Sequence, residues 1–111
     1  MLPQFERCLS GLDTELERIT EALGRVTDEQ LWRRLRPEMN SIGNLCLHLA
    51  GNEHHYIGFG VGKTGYQRDR SGEFNANGGF SKDELLSKLR DSRATTRKVL
   101  EDIREEDFET V

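Results

Sequence analysis

The 111-residue sequence holds two cysteines, two prolines and one tryptophan, and no excess of basic charge. Cys8 and Cys46 lie far apart and form no C-x-x-C pair, which leaves no disulfide framework or cysteine-based zinc motif. Two reduced thiols in a cytoplasmic protein is the plain expectation. Sixteen Lys and Arg against 20 Asp and Glu give a net charge of −4. A general nucleic-acid binder would show a basic excess or stripe, so nucleic acid is not an expected partner. No apolar run approaches the ~20 residues of a membrane helix, so no membrane is expected either. The start, MLPQFERCLSGL, lacks the basic and apolar regions of a signal peptide.

What the sequence does have is charge and helical periodicity. Charged residues are 32% and hydrophobic residues 34% of the chain, a balance suited to amphipathic helices with one apolar stripe. The length allows one domain with one modest core, spanning residues 1–111. Leu2, Phe5, Leu9, Leu12, Leu16, Ile19, Leu23 and Val26 recur at 3–4 spacing and predict a long first helix. Thr27-Asp28-Glu29-Gln30 forms a capping box for a short helix over LWRRL, which Pro37 stops. A further long helix is predicted from Asn40-Ser41, with a stripe of Ile42, Leu45, Leu49, Asn52, Tyr56 and Phe59. Ser81 to Glu84 is another capping box, followed by the stripe Leu85, Leu89, Ser92, Thr96, Val99 and Ile103 up to about Arg104. The class is all-α, and no strand pair or repeat is visible. Three full stripes leave a bundle open, so a fourth helix is expected. Either a partner chain supplies it or the sequence is part of a longer one.

Seven of the 11 glycines fall between Gly58 and Gly79, in a long connection that Phe59, Tyr66 and Phe74 should hold in order. Its first stretch, GFGVGKTG, imitates two phosphate-binding motifs. A Walker A loop needs glycine where Ile57 stands, and both motifs need a preceding strand and a following helix. Here a helix precedes, so nucleotide binding is set aside. The glycines are expected to provide positive φ and tight bends at a helix exit.

His48, His54 and His55 all fall on the second long helix. His48 and His55 share a flank of its apolar stripe, and His54 should face solvent. Seven residues of helix separate His48 from His55 by roughly 10 Å along the axis, too far for one metal ion. Asn52 occupies the position one turn after His48, so this helix alone builds no metal site. From the residues alone, His48 is either a hydrogen-bonded boundary residue or one ligand of a site shared with another helix. Arg68, Arg70 and Glu73 alternate in sign and are either ion-paired to pin the loop or, through Arg68 or Arg70, able to receive an anionic substrate group.

The segments Asn40-Ser41-Ile42-Gly43-Asn44-Leu45, His48-Leu49-Ala50-Gly51-Asn52, Arg68-Asp69-Arg70 and Glu73-Phe74 form a combination that resembles a branch of the DinB-like superfamily. That superfamily includes the YfiT-type metal-dependent hydrolases and bacillithiol transferases. The resemblance covers essentially the whole chain. It implies an up-up-down-down four-helix bundle, of which this chain supplies three long helices and a short one, often as a homodimer. It also implies a divalent metal, zinc or nickel, held by three histidines, with His48 as the ligand from the second long helix. Arg68 and Arg70 would then face a small-molecule or thiol substrate. The other two ligands form an H-x-x-x-H pair on the fourth helix of such proteins, and no histidine follows His55 here. Two activities therefore stand side by side: a metal-dependent transferase or hydrolase, and a non-catalytic dimeric bundle module with an incomplete metal site.

Overall fold

The computed structural model describes residues 1–109. Helix α1 spans Pro3–Leu23, with Pro3 in the first turn, where its missing N–H would have had no helical partner. Helix α2, Asp28–Leu31, starts at Thr27, whose hydroxyl accepts from the Gln30 amide while the Gln30 side chain accepts from the Thr27 amide. Helix α3, Ile42–Glu53, begins with the same reciprocal arrangement between Ser41 and Asn44, and runs into a π-helical turn, His54–Phe59. Helix α4 covers Arg70–Asn75, and α5 covers Lys82–Asp102 behind a Ser81/Glu84 capping box. A short 3-10 segment, Glu105–Glu109, follows. Among the described residues there is no strand, and no helix is long and apolar enough to cross a membrane.

Helix α5 is the central element. It packs against α3 and its π-turn on one side and α1 on the other, while α4 packs on α3. The core gathers Leu23, Leu31, Cys46, Leu47, Ala50, Leu85 and Leu89, with Leu16, Ile19, Val26, Trp32 and Phe80 against it. The α5 stripe is buried as its periodicity predicts, from Leu85 to Val99. Its two polar members have internal partners. Ser92 Oγ donates to the Ala50 carbonyl at 2.9 Å and Thr96 Oγ1 to Glu53 Oε2 at 2.7 Å. Burial in this core raises the Cys46 thiol above its usual pKa.

Helix α3 reverses its expected phase. The buried face is Gly43, Asn44, Cys46, Leu47, Ala50 and Gly51. The stripe read from periodicity is exposed instead, with Leu45 and Leu49 at 47% and Tyr56 at 61%. Small residues let α3 approach α4 and α5 closely, and that gain in contact outweighs the larger apolar area left outside. The glycine segment follows its reading in part: positive φ occurs at Gly65, Gly78 and Gly79, and also at Lys63, whereas Gly60 keeps a helical backbone. Gly62 is needed for close approach, since a Cβ there would overlap Val99 Cγ2 of α5.

A polar tie joins three helices. Arg93 of α5 is bound by Glu53 of α3 at 3.0 Å and Asp13 of α1 at 3.0 Å, and Asp13 also takes Arg97. Burial acts to raise the Asp13 carboxyl, but the hydrogen bonds and charges of Arg93 and Arg97 outweigh it and hold it below the usual carboxylate range. A depressed folded pKa means stabilisation that is full above the unfolded value near ~3.9 and is lost as pH falls through the folded value. Asp13→Asn should therefore lower the urea midpoint at pH 7 by an amount equivalent to at most about 1 kcal/mol, since Asp13 is partly screened by water. The gap between wild type and variant should close as pH is lowered below that range. A gap of constant size down to acid pH would show that the contribution of Asp13 is not ionic.

The molecule is longer and more exposed than its mass calls for. Its radius of gyration is 15.5 Å, against ~13 Å for a compact chain of this length. Its accessible surface is 7593 Å², roughly 1,400 Å² above the ~6,200 Å² of a typical monomer of 12.7 kDa. Part of that excess is the open side between α1 and α3. A groove of about 300 Å³ lies between them over α5, walled by Leu12, Leu16 and Ile19 of α1 on one side and by Leu49 of α3 with Tyr56 and Ile57 of the π-helical turn on the other.

Candidate functional site

The sequence motifs converge where α3 meets α4. Asn44 is fully buried and satisfies its whole side-chain amide. Its Oδ1 accepts from the Ser41 amide and hydroxyl, and its Nδ2 donates to the Glu73 and Ala76 carbonyls at 2.9 and 2.8 Å. Arg34 Nη2 donates to the Phe74 and Ala76 carbonyls, so the last carbonyls of α4 find partners that a helix end cannot give itself. Helix α4 itself begins at Asp69, whose carboxylate accepts from the Gly72 amide at 3.0 Å. This short helix replaces the loop read from RDRSGEF. An Asp three residues ahead of a glycine and four ahead of an acidic residue was the available signal.

This arrangement delivers Glu73 into the protein. The Glu73 and Arg68 side chains are 7% and 8% exposed and meet in a forked pair. Arg68 Nη2 donates to Oε1 at 2.8 Å and Nε donates to Oε2 at 3.0 Å. The bond from Glu73 raises the Arg68 pKa further above its ordinary value. Space for the carboxylate comes from Gly51, where a Cβ would fall inside it. Tyr66 lies nearby, and burial first, then the Glu73 charge, push its phenol up.

His48 is attached to this pair. Arg68 Nη2 lies 3.0 Å from His48 Nδ1, and Glu73 Oε1 lies 3.6 Å from the same nitrogen. A guanidinium can only donate, so the Arg68 contact is a hydrogen bond in the tautomer whose Nδ1 accepts. The His48 ring also packs against Phe74, with centroids 5.0 Å apart, and the Arg70 guanidinium stands 5.8 Å from the centre of that same Phe74 ring. Of the two arginines singled out, Arg68 is committed to Glu73 and His48, and Arg70 has an aromatic contact but no carboxylate among the described residues.

The other histidines are placed differently. His54 does not point to solvent; it stacks on Tyr66 with centroids 4.0 Å apart. With Tyr66, Asp69, Glu73, Asp91 and Lys88 it lines a cavity of about 460 Å³ over Leu47 and Ala50. His55 stacks on Phe59, and its Nδ1 is buried without a hydrogen-bond partner among the described residues. Tyr66 thus anchors the glycine segment through His54, the histidine that periodicity had placed towards solvent.

A resident metal is a matter of fit. Among the described residues no three His, Cys, Asp or Glu side chains gather as a metal-holding group. A histidine ligand using Nε2 would also need its proton on Nδ1, donated to a carboxylate or carbonyl. Here an arginine donor at 3.0 Å and a Glu73 carboxylate oxygen at 3.6 Å both face Nδ1. The described residues therefore do not fit a three-ligand zinc or nickel centre on their own.

No curated protein and no solved structure matches the chain. The sequence model of the DinB superfamily matches residues 12–111. With an all-helical fold beneath that match, the chain belongs to the DinB superfamily.

Proposed function

We propose that this chain is a helical-bundle module that works as a homodimer, each copy covering the open α1/α3 side of the other. The observation that carries the reading is the exposed row Ile42, Leu45, Leu49, Tyr56 and Phe59. A monomer normally tolerates apolar patches of roughly 300–600 Å². Arg68, Glu73 and His48 then act as the clamp that fixes α4 on α3 and keeps the exposed row straight. The free thiols of Cys8 and Cys46 suit the cytoplasm. Sedimentation equilibrium tests the reading: wild type should be dimeric at micromolar concentration. Leu49→Lys should weaken association by about 100-fold or more, because an unpaired ammonium would have to be buried at the contact. A compact wild-type monomer at tens of micromolar, about ten times that range, would sink the proposal.

A second reading has its own observation. On α3, His48 stands about 40° from Asn52 and about 60° from Leu45, at the edge of the same exposed face. A helix laid over that face would pass His48, and histidines on it would join His48 as ligands of a divalent metal, zinc or nickel. The module would then be a metal-dependent transferase or hydrolase for a small-molecule or thiol substrate. Arg70 would receive an anionic group, with Arg68 held back by Glu73. Metal analysis of wild type beside His48→Ala decides this: equal and negligible zinc and nickel in both would remove it.

A further inference from the structure

We propose that the cavity between α3, α4 and α5 binds a small zwitterion with an apolar side chain, in chemistry a free α-amino acid. This cavity is separate from the α1/α3 groove and the exposed row, and its use does not depend on dimerisation. Leu47 and Ala50, both buried, form its floor, and Phe80 adds an aromatic wall. Its volume of about 460 Å³ falls in the range of small-molecule sites, roughly 300–1,000 Å³. Such sites pair an apolar lining with a few placed polar groups.

The charged walls select the ligand. Glu73 is held by Arg68, and Asp69 accepts from the Gly72 amide as the cap of α4. Lys88 and Asp91 remain. They stand three residues apart on α5, where side chains of opposite sign are neighbours and ordinarily attract. Here they do not pair. The Lys88 ammonium lies over the Phe80 ring, 5.0 Å from its centre, and Asp91 has no hydrogen-bond or ion-pair partner among the described residues. A ligand that is only a cation would meet Lys88, and one that is only an anion would meet Asp91. A molecule with ammonium and carboxylate on one carbon satisfies both within a single helical turn. Its side chain would then lie on Leu47, Ala50 and Phe80.

The facing wall is fixed in place. The chain leaves α-helical winding at His54–Phe59, and π-helical turns recur at functional sites. Within that turn Gly58 leaves room for the His54 ring, since a Cβ there would lie 2.7 Å from His54 Cδ2. The ring is then stacked flat on Tyr66. Neither the His54 nitrogens nor the Tyr66 hydroxyl has a hydrogen-bond partner among the described residues, and both side chains line the cavity. Burial first, then the Glu73 charge, keep the phenol protonated, so it stays a donor. Polar groups already held in position bind a ligand with little loss of side-chain freedom.

Titration of the intact chain with L-leucine, L-methionine and L-phenylalanine, followed by amide chemical shifts, tests this. At least one should bind with a Kd below about 1 mM. The amide and the N-acetyl derivative of the tightest binder each lack one charge and should bind at least about tenfold more weakly. Two substitutions at exposed positions locate the site. Asp91→Asn should weaken the amino acid about tenfold and leave its N-acetyl derivative unchanged. Lys88→Met should weaken the amino acid by a similar factor and leave its amide unchanged. No binding by any of the three below about 10 mM overturns the proposal. So does binding that neither substitution alters, which places the site elsewhere. An N-acetyl derivative or an amide as tight as its parent makes the site one for a single charge and overturns it too. Binding of L-leucyl-L-leucine where no free amino acid binds would do the same, because the two charges then sit on different residues.

Discussion

Arg68→Ala should cost this fold about 3–5 kcal/mol, the largest loss expected from any single charge deletion in the described structure. The reason is the carboxylate it would strand. Glu73 is buried, and among the described residues both of its oxygens take their hydrogen bonds from Arg68. A protein of this size has roughly 5–15 kcal/mol of total stability, so the variant should melt far earlier or fail to fold at physiological temperature. The effect is about stranded charge, not lost bulk, and a second variant separates the two. Arg68→Met with Glu73→Met removes both charges and keeps similar volumes, so it should recover at least about 2 kcal/mol relative to Arg68→Ala. Denaturant titration of the three proteins gives the comparison. If the double variant is no better than the single, the pair matters through packing and the electrostatic account is wrong.

That pair marks the limit of what the sequence makes legible. The alternating signs of Arg68, Arg70 and Glu73 point to an ion pair, yet not to which arginine forms it. Arg68 reaches Glu73 because Asp69 starts a helix between them and turns Glu73 inward, and a six-residue helix has too little periodicity to be read. Capping boxes are legible because they are local: Thr27 with Gln30, Ser41 with Asn44 and Ser81 with Glu84 each close within one turn. The α5 stripe is legible because its core is made of large side chains. Helix α3 is not, because its buried face is built from Gly43, Ala50 and Gly51 among others, which bury little area each and work by letting backbones approach. Counting hydrophobic residues at 3–4 spacing selects the other face.

His48 shows a related limit. Its family-like position on α3 was readable, and its environment was not, because Arg68 and Phe74 reach it from beyond the glycine connection. Residues separated by a long loop meet through the geometry of that loop, which here depends on His54 stacking on Tyr66 and on α5 packing against Gly62. Neither contact has a signature in composition or spacing.

Gly51→Ala is the second change with a large expected effect, and it should act with the opposite sign to helix propensity. In an open helix interior, glycine to alanine gains about 1 kcal/mol. At Gly51 the new methyl would occupy the position of the Glu73 carboxylate, and Arg68 Nε stands only 3.4 Å away. Either α4 lifts from α3, breaking the Asn44 bonds to Glu73 and Ala76, or Glu73 leaves its fork with Arg68. Both routes give up a buried polar network, so the expected loss is at least about 3 kcal/mol. The cause can be isolated by a double-mutant cycle. Glu73→Ala should itself be costly because it strands Arg68, but Gly51→Ala added to it should cost little, since the space is then free. That predicts a coupling energy of about 2–3 kcal/mol between two residues that share no hydrogen bond. An additive result, with Gly51→Ala equally harmful in both backgrounds, would mean that the small face of α3 is needed against something other than this carboxylate.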